Sequence, residues 1–213
     1  MRSAQPADND LTTKARIRDA AIEQVATSGS PAFTVRGVAK IAGVSPALVL
    51  HHFGSKDGLA AACDEYVLER FHEITETTTV APADVMAAMD IELELAPLAR
   101  YAAESLRAGT PFAKVFMERL VEDSELYLER AVAAGMVHPA HDARRRAEFL
   151  TMFSIGLMIL SPYLVPPGTP VEDFKEIQNR YIPEILELYT HGLFTDDTYL
   201  AAYRARQDDD IHS

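Results

Sequence analysis

The chain has 213 residues, 48% of them apolar and only 10 of them glycine, which suffices for one large core or for a small domain joined to a larger one. Its single cysteine, Cys63, excludes an internal disulfide and points to a reducing compartment. The net charge of −12 is unevenly spread: residues 1–58 hold seven Lys/Arg against five Asp/Glu, a balance of +2 that leaves −14 for the remainder.

Residues 1–11 carry Pro, Asp and Asn with no apolar run, which predicts a disordered arm and excludes a signal peptide. Thr12 or Thr13 caps a first helix to about Ser28, with Ile17, Ala20, Ala21 and Val25 on one face. Thr34 caps a short second helix in which Val35, Val38, Ala39 and Ala42 recur at i, i+3, i+4 and i+7, and Arg36 and Lys40 share the opposite face. Gly43 ends it, Ser45 caps a third helix, and Pro46 takes the first helical position, where a missing N–H costs nothing. Gly54 breaks that helix after Phe53, and Ser55 caps a long fourth one from Lys56 to about Glu76. Short helices joined by such a turn predict a helix-turn-helix domain over residues 12–58.

Residues 59–206 predict a larger helical domain. One helix follows Pro82 and another covers 91–107, with Pro97 marking a start or kink. Thr110-Pro111 opens a helix to about Gly135, and Asp142 caps the next to about Leu164. A Pro-rich loop over 165–170 precedes a helix over 171–191 and a short one over 196–206, and residues 207–213 form an acidic tail. No alternating β-branched stretch is long enough for a sheet, so the fold class is all-α. The longest apolar run, Phe149 to Leu160, is shorter than the about 20 residues of a membrane span, so a soluble cytoplasmic protein is expected.

The stretch Thr34-Val-Arg-Gly-Val-Ala-Lys-Ile-Ala-Gly-Val-Ser-Pro-Ala-Leu-Val-Leu-His-His-Phe-Gly-Ser-Lys-Asp-Gly-Leu59 resembles the tetracycline-repressor-like (TetR) family of regulators. The resemblance implies a homodimer on palindromic operator DNA, with Thr34, His52 and Lys56 clamping phosphates. Ser45 and the helix behind it present N–H groups to phosphate. Lys56 at a helix start opposes the dipole, a placement that makes sense with a phosphate nearby. Arg36 can reach a base edge, where Arg prefers guanine. The reading face departs from the common family pattern: Pro46, Ala47 and Leu50 have almost no hydrogen-bond donors, so contact with thymine methyl groups must carry more of the readout.

The family places an effector cavity in the body. Met89, Leu93, Tyr101, Phe116, Met117, Leu120, Tyr127, Met152 and Phe153 are the candidates to line it, and their apolar, adaptable side chains suit a largely hydrophobic ligand. The segment from Phe149 to Leu160, apolar all round, must be covered on more than one side. With its own copy it predicts a four-helix dimer interface: Phe149, Gly156 and Leu160 from one helix, and Phe174, Ile177, Tyr181, Ile185 and Leu188 from the next, which Pro183 kinks.

Adjacent residues on a helix diverge by about 100°, so His51 and His52 do not chelate one ion together, and neither a metal nor a cofactor is expected. No HExxH, GxSxG or Gly-rich phosphate loop is present, which argues against an enzyme. The expected function is therefore a sequence-specific transcriptional repressor released by a small ligand. The alternative is a helical ligand-binding or protein-interaction protein whose helix-turn-helix does not read DNA specifically.

Overall fold

Three helix starts in the N-terminal part follow hydroxyl side chains, of Thr34, Ser45 and Ser55, that take up otherwise unpartnered N–H groups. A computed structural model describes residues 6–29, 33–160, 163–164 and 174–211; the side chains of 6–11, 82–94, 158, 174–179 and 207–211 lie outside the description. The described residues form α1 (Pro6–Ser28), α2 (Val35–Ala42), α3 (Pro46–Phe53), α4 (Lys56–Thr77), α5 (Pro82–Ala108), α6 (Pro111–Ala133), α7 (Ala143–Leu160), α8 (Phe174–His191) and α9 (Thr198–Ile211), with no strand among them.

Three helix boundaries differ from expectation. α1 begins at Pro6, inside the stretch taken as an arm; proline is well suited to a first helical position. The two helices expected between Pro82 and residue 107 are one, α5, with Pro97 inside it. Pro97 removes one backbone bond, but Leu95, Leu98, Ala99, Tyr101, Ala102 and Ala103 are all buried around it, and that packing holds the helix together. α9 runs on to Ile211, through most of the acidic segment taken as a tail.

The chain divides into two compact units, Met1–Val165 and Pro166–Ser213. In the first, α1 packs on α2, α4 and α5, α4 on α6, and α6 on α7. Ile17, Ala20, Ala21 and Val25 are buried as their spacing predicts, and Ile22 joins them. Val38, Val49, Leu59, Cys63, Val67, Tyr101, Phe112 and Phe116 complete a core that runs without interruption from the helix-turn-helix into the body. Phe116 is its largest fully buried side chain, with ring centroids 5.2 Å from Phe71 and 5.4 Å from Phe112.

Polar bonds fasten α4 to the body along its length. The Tyr101 hydroxyl donates to Asp64 Oδ1 at 2.6 Å, and burial raises the Asp64 carboxyl above its ordinary range despite that bond. Farther along, His72 Nδ1 lies 2.9 Å from Asp123 Oδ1, and Arg130 donates from Nη2 to the Thr75 carbonyl at 2.8 Å. Two of the three consecutive arginines at the start of α7 are held by acidic side chains, Arg144 by Glu125 and Glu148 and Arg145 by Asp142, while Arg146 donates to the His138 carbonyl.

Cys63 lies on the inner side of α4, 1% exposed, and burial together with the neighbouring Asp64 pushes its thiol up to about 12. The thiolate is the reactive form, so the folded protein at pH 8 should resist thiol reagents. Titration with a chromogenic disulfide should register one thiol only after denaturant is added; rapid reaction of the native protein would contradict this burial.

In the second unit, the Thr198 side chain and then its N–H, which donates to Asp196 at 3.0 Å at the start of α9, lower the Asp196 carboxyl. The Phe194 and Tyr199 rings stand 4.6 Å apart.

Candidate DNA-binding site

The head is built from three side-chain caps in succession. Thr34 Oγ1 accepts from the Gly37 N–H at 3.1 Å, Ser45 Oγ from the Leu48 N–H at 3.2 Å, and Ser55 Oγ from the Gly58 N–H at 2.9 Å. Between α2 and α3 the chain reverses at Gly43, which has φ +66° and ψ +36°. Its N–H donates to the Lys40 carbonyl at 3.4 Å, and the Val44 N–H donates to the Ala39 carbonyl at 2.9 Å. This double closure needs a left-handed residue, so glycine is the natural occupant.

Burial separates the two faces of the motif. Val38, Ala39, Ala42 and Val49 are buried, and Val44 and Phe53 pack half-buried against the same core. On the outside, Thr34, Arg36, Lys40, Ser45, Pro46, Ala47, Leu50 and Lys56 are exposed, while His52 is half-buried. Leu50 is 43% exposed, an apolar side chain presented to solvent from the reading helix. Cations brace this end on aromatic rings: Lys56 Nζ stands 5.4 Å from the centroid of Phe33, and Lys14 Nζ 5.7 Å from that of Phe53. Arg18 is spent inward, stacked 3.3 Å over Tyr66 and paired with Asp19.

Two further residues shape the head without belonging to the motif's contact set. Gln24 of α1 accepts a hydrogen bond from the Thr34 N–H through Oε1 at 3.1 Å. Gly58 lets α4 leave α3 closely, since a Cβ there would lie 2.1 Å from the Phe53 carbonyl oxygen. Nothing local to α1 marks Gln24 as the partner of a residue ten positions on.

The candidates for an effector cavity lie in different surroundings. Tyr101 and Phe116 are buried in the core, and Leu120 packs half-buried against it. Met117 and Tyr127 are half-buried, and Met152 and Phe153 are exposed. The side chains of Met89 and Leu93 lie outside the described residues. An open cleft of about 720 Å³ occurs elsewhere, between α1, α2, α4 and α5; its floor includes Ala20, Ile22, Ala42, Leu95 and Leu98, and Arg16, Asp19, Glu23 and Arg70 also line it. Of the interface candidates, Phe149 and Leu160 on α7 are about three-fifths exposed and Gly156 is half-buried. On α8, Leu188 is exposed and Tyr181 and Ile185 are half-buried, while the side chains of Phe174 and Ile177 lie outside the described residues.

An exposed, cation-bearing helix-turn-helix standing on a larger helical body defines a helix-turn-helix DNA-binding protein. Residues 17–63 match the model of the tetR family of bacterial regulatory proteins, and residues 94–195 match that of a tetracyclin repressor-like C-terminal domain. The HTH-type transcriptional regulatory protein RaaS of Mycobacterium tuberculosis is 38% identical over 96% of this chain and 95% of its own length. The chain belongs to the TetR family, and it is a DNA-binding transcriptional regulator. Solved structures share the fold. A Clostridium perfringens protein described as a fatty acid metabolism regulator superposes with a TM-score of 0.63 at 19% identity, covering 85% of this chain and 100% of its own. A TetR-family transcriptional regulator of Pectobacterium atrosepticum gives 0.54 at 20% identity, covering 91% and 99%. Among the described residues, no helix is long and apolar enough to cross a membrane.

Proposed function

We propose that this regulator is a cytoplasmic repressor, without enzymatic activity, that binds a palindromic operator as a homodimer and leaves it when a small, largely hydrophobic effector binds the body. The reading divides the chain into a DNA-binding head, residues 12–58, and an effector and dimerisation domain, residues 59–206. The observation that carries it is the separation of faces in the head. The residues that would meet DNA (Thr34, Arg36, Ser45, Pro46, Ala47, Leu50 and Lys56) are exposed, and their neighbours Val38, Ala39, Ala42 and Val49 anchor the same helices in the core. Exposed Phe149 and Leu160 on α7 support a second copy as the cover for the apolar face of that helix, and exposed Leu188 on α8, within its own unit, supports the same reading. Helix α4 begins in the head and is bonded to α5 and α6 through Asp64, His72 and Thr75, so a ligand that shifts the body would move the head with it.

Selection of duplexes from a random pool at near-physiological salt tests the reading. A palindrome should be enriched, with half-sites about 34–36 Å apart. Arg36→Ala should weaken binding to that duplex roughly 10–100-fold, the worth of one good base contact, and relax preference at one position of each half-site. Weak binding with no preferred sequence and no dependence on Arg36 would instead favour a protein-interaction role for the head.

A further inference from the structure

In a capping box, the residue three places after the N-cap reaches back with a Glu or Gln side chain to accept the N-cap's own N–H. Helix α2 has half of this arrangement. Thr34 caps the Gly37 N–H at 3.1 Å, but Gly37 holds the position from which the return bond should come and has no side chain to make it. The missing acceptor arrives from another helix: Gln24 Oε1 of α1 takes the Thr34 N–H at 3.1 Å. The absence of a side chain at residue 37 is what admits it. A Cβ on Gly37 would lie 1.8 Å from Gln24 Nε2 and 2.9 Å from Gln24 Cδ, so the amide fills the space that any other residue would occupy. Gln24 lies one helical turn from the buried Ala20 and Ala21 and beside the buried Val25.

We infer that Gln24 is a positioning residue for operator binding: it closes the α2 cap from α1 and so fixes the start of α2, with Thr34 and Arg36, against the core of the head. A cap made within α2 would satisfy the same N–H yet leave the helix free to rock about its own contacts. A cap made from α1 sets the start of α2 relative to the rest of the domain, and a displacement of 1 Å there is enough to misplace an arginine that must meet a base edge at hydrogen-bond distance. Gln24 touches no DNA in this scheme and acts only through Thr34 and Arg36.

The inference rests on the operator-binding reading, and three proteins separate the two. Gln24→Ala should remain folded at 25 °C, exchange the Thr34 amide about tenfold faster, and bind the duplex enriched by the wild-type chain about tenfold more weakly, the scale of one hydrogen bond. The double variant Gln24→Ala/Gly37→Gln restores an acceptor inside α2. It should recover Thr34 amide protection and melting temperature while remaining at least about fivefold weaker on DNA, because the tie to α1 is still missing. Gln24→Ala binding the duplex within twofold of wild type, unchanged Thr34 exchange, or full recovery of affinity in the double variant would each overturn the positioning role. A wild-type chain that enriches no duplex would overturn the operator reading and this role with it.

Discussion

Replacing Phe116 by alanine is expected to cost about 3–5 kcal/mol of folding free energy, the usual range for removing a fully buried phenylalanine. The ring is 1% exposed and lies between Phe71 of α4 and Phe112 of α6, so its removal strips both neighbours of an edge or tilted contact and leaves a void in the seam between α4 and α6. For a chain of this length each kcal/mol moves the melting temperature by about 2–4 °C, so thermal unfolding followed by circular dichroism should show a fall on the order of 10 °C. Phe116→Leu keeps much of the volume and should lose well under half as much. A Phe116→Ala protein that melts within about 2 °C of wild type would mean that α6 does not seat on α4 through this ring.

The second large effect runs against helix propensity. Gly58 is in the first turn of α4, where glycine-to-alanine substitution would ordinarily stabilise a helix by roughly 1 kcal/mol. Here the new Cβ would stand 2.1 Å from the Phe53 carbonyl oxygen, a backbone atom with no rotamer to escape into. The corner between α3 and α4 must open, and the expected net result is a loss of about 2–3 kcal/mol, the upper part of the range for overpacking. DNA affinity should fall in the protein that remains folded, because α3 carries Pro46, Ala47 and Leu50 and takes its angle from this corner. The check is melting temperature and duplex binding side by side: a melting temperature that rises with Gly58→Ala would show that propensity outweighs the contact.

These two sites also mark where the sequence is readable and where it is not. The caps at Thr34, Ser45 and Ser55, the reversal at Gly43 and the apolar spacing of Val38, Ala39 and Ala42 are signals carried within a few residues of one another, and α2 and α3 form where those signals place them. The exposed set from Thr34 to Lys56 was legible for the same reason, because knowing which side of a short amphipathic helix is buried settles which side is free. Pro97 misled because a proline removes one bond locally, whereas the buried residues on both sides of it keep α5 whole. The body resisted residue-level assignment because apolar side chains such as Tyr101, Phe116 and Met152 look alike in sequence, yet two are in the core and one is exposed.

The sequence by itself determined the all-helical class, the helix-turn-helix and the face it presents, since these depend on local caps, glycine conformation and helical period. Only the tertiary structure decided that Gln24 supplies the bond Gly37 cannot and that Gly58 lets α4 pass against Phe53. Each of those is a contact between segments whose separation in space is set by packing, and free energy from close packing depends on distances that no local pattern of residues encodes.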